Sequence, residues 1–335
     1  MSFGSRLITV LAAATALCLA GPAGAQTVEL KLSHFLPPNH TFHKFALAWG
    51  EQLEKESGGK LKLQIYPATQ LGGGANRQFD SARNGVVDIA ISTHGATPGR
   101  YPMTELISLP FAAPASGATS EAMSRRLTEL SGKYLAPEHQ GLRILFMAVT
   151  SPLKIHSVAP ILKVEDLKGK KIRFQGIQLK NVMDAVGAVP VPVPPPETQD
   201  ALSKGIVDSA TFPHEGAASF DLGTVVKYSL EPGISSATFA VVMNPAKYES
   251  LPADLKALID KTAGPAAAQA FGAAWDKAEI EGKASMTAKG VTQNTLPAAE
   301  VAKFKALVAS QVDTALAGLE AKGQPARAFY QEFLK

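Results

Sequence analysis

Two hydrophobic periods alternate along this chain, and they do so twice over. Val28-Glu29-Leu30-Lys31-Leu32-Ser33 alternates apolar with polar residues, the period of a half-buried strand. A helix is expected from about His43 to Ser57, because Phe45, Ala48, Trp49 and Leu53 fall on one face and Gly58-Gly59 stops it. Lys60 to Tyr66 is a second alternating strand. Gly72-Gly73-Gly74 leads into a short helix over about 75–84, and the largely apolar Val86 to Ser92 reads as a buried strand. Strands taken in turn with helices argue a parallel α/β sheet.

The same grammar returns. Strands are expected over Gly141 to Val149, Gly169 to Phe174 and Ile206 to Phe212, with helices from about Leu179 to Val186 and from Thr198 to Lys204. Asn84-Gly85-Val86-Val87-Asp88 echoes Lys204-Gly205-Ile206-Val207-Asp208, and each copy is preceded by a Gly-Lys strand, at Gly59-Lys60 and Gly169-Lys170. A length of 335 residues fits about two domains, so the echo reads as two α/β lobes. After both lobes comes a further strand, Thr238 to Asn244. Helical stretches to about Lys289 follow, then a short strand from Val291 and helices over Pro297 to Lys322 and Ala326 to Leu334. Segments so late in the chain imply that it crosses back between lobes. The expected organisation is one lobe from 26–150 plus about 237–277 and a second from 151–236 plus about 278–335. Two lobes joined by several crossings make a hinged inter-domain cleft, a preferred place for a small molecule.

The first 25 residues differ from the rest. Arg6 is the only charge before Glu29, a largely apolar run follows from Leu7 to Ala20, and small residues stand at Ala23 and Ala25. That is the pattern of a cleaved secretory signal, here 1–25, and the apolar run is too short for the roughly 20 residues of a membrane span. The sole cysteine, Cys18, lies inside this leader, so the mature chain would carry no thiol. A disulfide scaffold and a cysteine-rich metal protein are excluded. The net charge of +4 comes with no block of like charges, so nothing marks a nucleic-acid arm.

No catalytic constellation stands out: there is no GxGxxG, P-loop or GxSxG, and no recognisable carboxylate pair for a secreted hydrolase. Gly72-Gly73-Gly74 could offer amides to an anion, but such a turn is more simply a helix entrance. His34, His40 and His43 form the one histidine cluster. Its spacing fits no standard zinc motif, which leaves loop and cap roles beside a periplasmic metal-binding alternative. Arg173 stands in the apolar-alternating strand Lys171-Ile172-Arg173-Phe174. A guanidinium there needs a partner, either a structural carboxylate or the carboxylate of a ligand that its planar fork would match.

Several segments resemble the extracytoplasmic solute-binding proteins of TRAP (tripartite ATP-independent periplasmic) transporters, the DctP-type family. Leu167-Lys168-Gly169-Lys170-Lys171-Ile172-Arg173 resembles the family's DLKGxKIR, and Gly187 to Pro194 its GAxPVPMP. Glu197 to Asp208 resembles EVYxALQxGVVD, and Tyr66 to Gly72 resembles YPxxQLG. The similarity spans most of 27–330 in the right order. It implies a two-lobed, class II-like periplasmic binding protein without enzymatic activity or cofactor. Such a protein takes a small organic acid and delivers it to membrane-embedded transporter subunits.

By the same resemblance Arg173 falls on the arginine that clamps the ligand carboxylate, and Gln70 falls in a first-lobe segment near the ligand. Two departures stand out. A second arginine common in the family is missing from Val149 to His156. Where sialic-acid-type members carry asparagine, this chain has Phe212, followed by Pro213-His214-Glu215, similar to a branch with an aromatic, a proline and then an acid. The expected ligand is therefore a less polar acid, aromatic or a short mono- or dicarboxylate, held by Arg173 beside Phe212 and Glu215. Phe35, His94, His156 and Phe239 lie near expected strand ends and are pocket or core residues.

Overall fold

The computed structural model describes residues 27–113 and 119–335. The expected leader, 1–25, lies outside the described residues. In chain order the first half comprises β1 (Val28–His34), α1 (Thr41–Glu56), β2 (Leu61–Tyr66), α2 (Gln78–Arg83), β3 (Ile89–Thr93), α3 (Ser120–Tyr134), β4 (Arg143–Val149) and β5 (Lys154–Ser157). There follow β6 (Lys171–Phe174), α4 (Ile177–Ala185), β7 (Val189–Pro192), α5 (Thr198–Ser203), β8 (Ser209–Phe212), α6 (His214–Ser219), β9 (Tyr228–Glu231) and β10 (Thr238–Met243). The last part holds α7 (Pro245–Glu249), α8 (Ala253–Lys261), α9 (Gly264–Ala288), β11 (Thr292–Thr295), α10 (Ala298–Glu320) and α11 (Ala326–Leu334).

These elements build two lobes, each around its own sheet. The first sheet has the order β2-β1-β3-β10-β4 and the second β11-β9-β5-β8-β6-β7. Neither is wholly parallel, which corrects the simple sequence expectation. In the first, β10 runs antiparallel to both neighbours, and in the second β5 does the same. The connections explain the reversal. β4 passes into β5 through 150–153, and β9 passes into β10 through 232–237. Links so short hold no crossover helix, so each arriving strand enters its new sheet from the end that faces the other lobe. The parallel strands of both sheets consequently point their C-terminal ends at one another, where open α/β sheets place their ligands.

β7 contains two prolines, Pro190 and Pro192, yet pairs in register with β6. It is an edge strand, where a missing N–H leaves no gap in the ladder. α9 is 25 residues long and serves both lobes. Phe271 and Trp275 pack in the first-lobe core, while Met286 packs with Leu222 and Val226 of the second. Glycines permit this close passage: a Cβ at Gly272 would lie 2.5 Å from backbone atoms of Ser120 and Glu121, and one at Gly282 would lie 2.6 Å from the His214 carbonyl oxygen.

A boundary at 277/278 therefore falls inside one continuous helix. The tail also differs from the expected division. Phe304 and Val308 of α10 pack in the second-lobe core, but Leu316 and Leu319 pack in the first. Phe329 and Phe333 of α11 join Leu127 and Met147 there. A helix of 23 residues is about 34 Å long, enough to carry the chain back across.

Candidate functional site

Arg173 is the centre of the site. It sits on β6, flanked by β7 and β8, and is only 1% exposed. Its Nε donates to the Val193 carbonyl at 3.0 Å and its Nη1 to the Thr211 carbonyl at 3.0 Å. Nη2 donates a longer bond, 3.4 Å, to Gln175 Oε1. The Thr211 hydroxyl in turn donates to the Arg173 carbonyl at 3.0 Å, tying β8 to β6 behind the guanidinium. No carboxylate of the described residues lies within ion-pairing distance, so the cation is buried with neutral partners alone. Burial holds its pKa down, at about 9, and it still carries its charge at neutral pH.

Around this cation is a narrow pocket lined from both lobes. Phe35 and Phe239 reach it from the first lobe, Phe212 and Phe220 from the second, and Trp275 from α9. The Arg173 guanidinium carbon stands 4.2 Å from the centre of the Phe212 ring. Phe35 and Phe239 are stacked with ring centres 6.5 Å apart. A wider, open space adjoins it, walled by Thr69, Gly73 to Asn76, Gly95, Ala96 and Pro98 on one side and by Pro192 to Glu197 on the other. Arg173, Gln175 and Pro195 border both spaces.

The unspent polar atoms of the pocket residues are donors. Arg173 has N–H groups beyond the three that are bonded. Gln175 Nε2 and Trp275 Nε1 are buried without a partner. Donation from Arg173 to Gln175 Oε1 fixes the amide so that its nitrogen is the free end. An apolar chamber whose free polar atoms are one cation and neutral donors suits a small organic anion with an aromatic or aliphatic body.

Of the residues expected at the site, Arg173, Phe212, Phe35 and Phe239 come together here. Four do not. Gln70 is exposed on the turn after β2, where its backbone N–H bonds the Pro67 carbonyl; its neighbour Thr69 borders the wider space instead. His94 is buried inside the first lobe, bonded to Thr238 and, at 3.0 Å, to His139. His156 lies behind the pocket: its Nε2 meets the Phe212 carbonyl at 3.1 Å and its Nδ1 meets Ser229 Oγ at 2.7 Å. It supports the strand that carries Phe212. Glu215 points out of the pocket and into the lobe boundary, accepting from the N–H and hydroxyl of Thr41 at 2.8 and 2.7 Å.

The three clustered histidines do not converge. His34 and His43 bond each other at 3.1 Å, and His34 Nδ1 accepts from the Leu36 N–H. His40 caps α1 by accepting from the Phe42 N–H through Nδ1, and its Nε2 lies 3.3 Å from Glu215 Oε2. With His34 and His40 spent at both nitrogens on protein partners, the metal alternative loses its ligand set. Among the described residues no group of histidines and acids is arranged to hold a metal. Sequence reading missed His40, Gln175, Phe220 and Trp275 as pocket residues. Trp275 lies 36 residues beyond Phe239, the nearest expected site residue, and 60 or more from all the others, and only the path of α9 brings it in.

Two α/β lobes with a guanidinium buried in an aromatic-lined pocket at their facing strand ends are the architecture of a solute-binding protein. Residues 32–318 match the family described as bacterial extracellular solute-binding protein, family 7, and the chain belongs to it. Its structural relatives are TRAP solute-binding proteins. One from Rhodoferax ferrireducens T118, solved with copurified benzoate, is 31% identical with a TM-score of 0.87, covering 92% of this chain and 97% of its own. A marine metagenome protein specific for aromatic acid ligands, solved with 3-hydroxybenzoate, is 32% identical at the same TM-score and the same coverage of 92% and 97%. The C4-dicarboxylate-binding periplasmic protein of Rhodobacter capsulatus is 28% identical over 280 residues, 82% of this chain and 83% of that one. The family is one of transport rather than catalysis, and its members work outside the cytoplasm.

Proposed function

We propose that this protein binds an aromatic or similarly apolar monocarboxylate between its lobes and delivers it to membrane-embedded TRAP subunits, after export under the 1–25 leader. One observation carries the reading: Arg173 is a buried cation with no carboxylate partner among the described residues, facing the rings of Phe212, Phe35 and Phe239. Burying an unpaired guanidinium is costly, and a ligand carboxylate would offset that cost. The aromatic walls would take the acid's apolar body, with ring contacts worth about 0.5–1.5 kcal/mol beyond the area buried. A dicarboxylate suits the pocket less well. Arg173 is the only Arg or Lys lining it, and His40, accepting through Nδ1 and depressed in pKa by burial, is neutral. The benzoate and 3-hydroxybenzoate of the two structural relatives point the same way.

A thermal-shift screen of benzoate, 3-hydroxybenzoate, succinate and galacturonate, followed by calorimetry, tests the reading, since a ligand that binds only the native state raises its Tm. Benzoate or its hydroxy derivative is expected to give the largest shift. A larger shift with succinate or galacturonate would reject the aromatic assignment.

A further inference from the structure

Two carboxylates cross the boundary between the lobes in opposite directions, and neither lines the pocket around Arg173. Glu215 belongs to α6 of the second lobe, yet its Oε1 accepts from the N–H and the hydroxyl of Thr41, the first residue of α1 in the first lobe. Glu105 belongs to the first lobe, in the helical turn Thr104–Ser108. Its carboxylate accepts from the Gly99 N–H at 3.2 Å and shares a small cavity with Gly176 and Ile177, where α4 of the second lobe begins. Both side chains are buried, at 4% and 2% exposure. Glu215 thus meets an unsatisfied N–H and the positive end of the dipole of the opposite lobe's helix, and Glu105 lies beside the start of another.

Both carboxylates are themselves braced. The α6 N-terminus is pinned by Glu279 of α9, which accepts from the backbone N–H groups of His214 and Glu215 at 3.0 and 2.9 Å and pairs with Lys154 at 2.6 Å. Ser219 donates to Glu215 Oε1 at 3.2 Å. Beside Glu105 the backbones themselves meet, with Gly176 N–H donating to the Gly95 carbonyl at 3.1 Å. A Cβ on Gly95 would come within 3.1 Å of Gly176 N, so that approach depends on glycine. Both contacts are also tied to the pocket. His40, which lines it, lies 3.3 Å from Glu215 Oε2, and Gln175, which lines it, shares a small polar cavity with Glu105.

We propose that Glu105 and Glu215 are positioning residues for ligand capture, a reciprocal pair of latches that hold the closed arrangement of the lobes, each set against the start of a helix in the opposite lobe. Neither touches the ligand. Lobe separation would strip α1 of its cap and part Glu105 from the start of α4, so each side chain favours closure, Glu105 the more when protonated, and through closure it slows ligand release. The ligand part of this inference rests on the reading above, but the latch itself does not.

The test separates the two. In a Cys18→Ser background, Glu51→Cys on α1 and Lys204→Cys after α5, both exposed, carry spin labels that report the distance between lobes. The distance is measured without ligand and at saturating benzoate, in the parent and in Glu105→Ala, Glu215→Ala and Thr41→Val. Loss of a latch should shift the ligand-free population toward longer distances. It should also speed benzoate release about 10-fold, in line with the worth of a helix cap, while the association rate stays close to the parent's. Unfolding midpoints of the isolated variants check that the lobes remain folded, and Glu215→Gln, which keeps an acceptor for Thr41, should recover most of the effect. Unchanged ligand-free distances in both alanine variants would overturn the latch, whatever the ligand proves to be. A shift in those distances with no binding of benzoate by the parent would support the latch and reject the aromatic-acid reading.

Discussion

The guanidinium of Arg173 lies over the face of Phe212, 4.2 Å from the ring centre, so the buried cation and the aromatic wall of the pocket form one unit. The ring's negative face partly compensates a charge that has only neutral hydrogen-bond partners. The two carbonyls of Val193 and Thr211 fix the plane of the guanidinium. On the proposed reading the guanidinium is preorganised for an anion, with little rotamer freedom left to be lost on binding.

Replacing Arg173 with alanine should weaken benzoate binding at least about 30-fold, the effect of removing one partner of a desolvated charge pair. Arg173→Lys should recover little, because an ammonium cannot span both carbonyls and a carboxylate in one plane. Calorimetry on both variants measures this, and equal affinity in Arg173→Ala would move the site elsewhere.

Phe212→Asn should lower benzoate affinity about 10-fold or more through lost ring contact and lost apolar burial. The same change should raise the relative affinity for a sugar acid such as galacturonate. Competition calorimetry with the two acids reads the ratio. A ratio that does not move would mean that Phe212 only packs the core.

Affinity should also depend on pH through Glu105. Burial lifts its carboxyl from 4.5 to about 7, with the neighbouring Glu138 acting in the same direction and the amides of Gly99 and Ile177 opposing. Opening the lobes would return it toward its ordinary value, so the closed form binds the extra proton. Benzoate affinity should therefore be higher at pH 5 than at pH 8 and fall mainly as pH rises toward and through about 7. Glu105→Gln should flatten the profile. Titrations at half-unit steps decide it, and a parallel slope in the variant would assign the pH dependence to another group.

Gly282→Ala should destabilise the protein by about 1–3 kcal/mol, since its Cβ would press on the His214 carbonyl at the start of α6. Gly318, with nothing near its Cβ position, is the control: alanine there should be neutral or mildly stabilising. Denaturant unfolding compares them.

Much of the fold was legible in local pattern. β1, β2 and α1 lie within a few residues of where periodicity puts them, because each has one buried and one wetter face. β5, β9 and α6 were not legible. All three are short, and β5 is buried at every position, so no alternation marks it. β7 was hidden by its prolines, which are tolerated only because it is an edge.

The sequence by itself determined that the chain is a two-lobed α/β protein with a guanidinium inside a strand, since strand period, glycine stops and the Arg173 segment are all local properties. Tertiary structure alone decided which expected site residues meet. Glu215 is only three residues beyond Phe212, yet the ring faces the pocket while the carboxylate crosses to Thr41. The histidines near strand ends turned inward to satisfy one another or a neighbouring carbonyl, as buried imidazoles must. Trp275 reached the pocket through a helix shared by both lobes. Direction and partnership of a side chain are set by what packs against its element, and that information lies in distant parts of the chain.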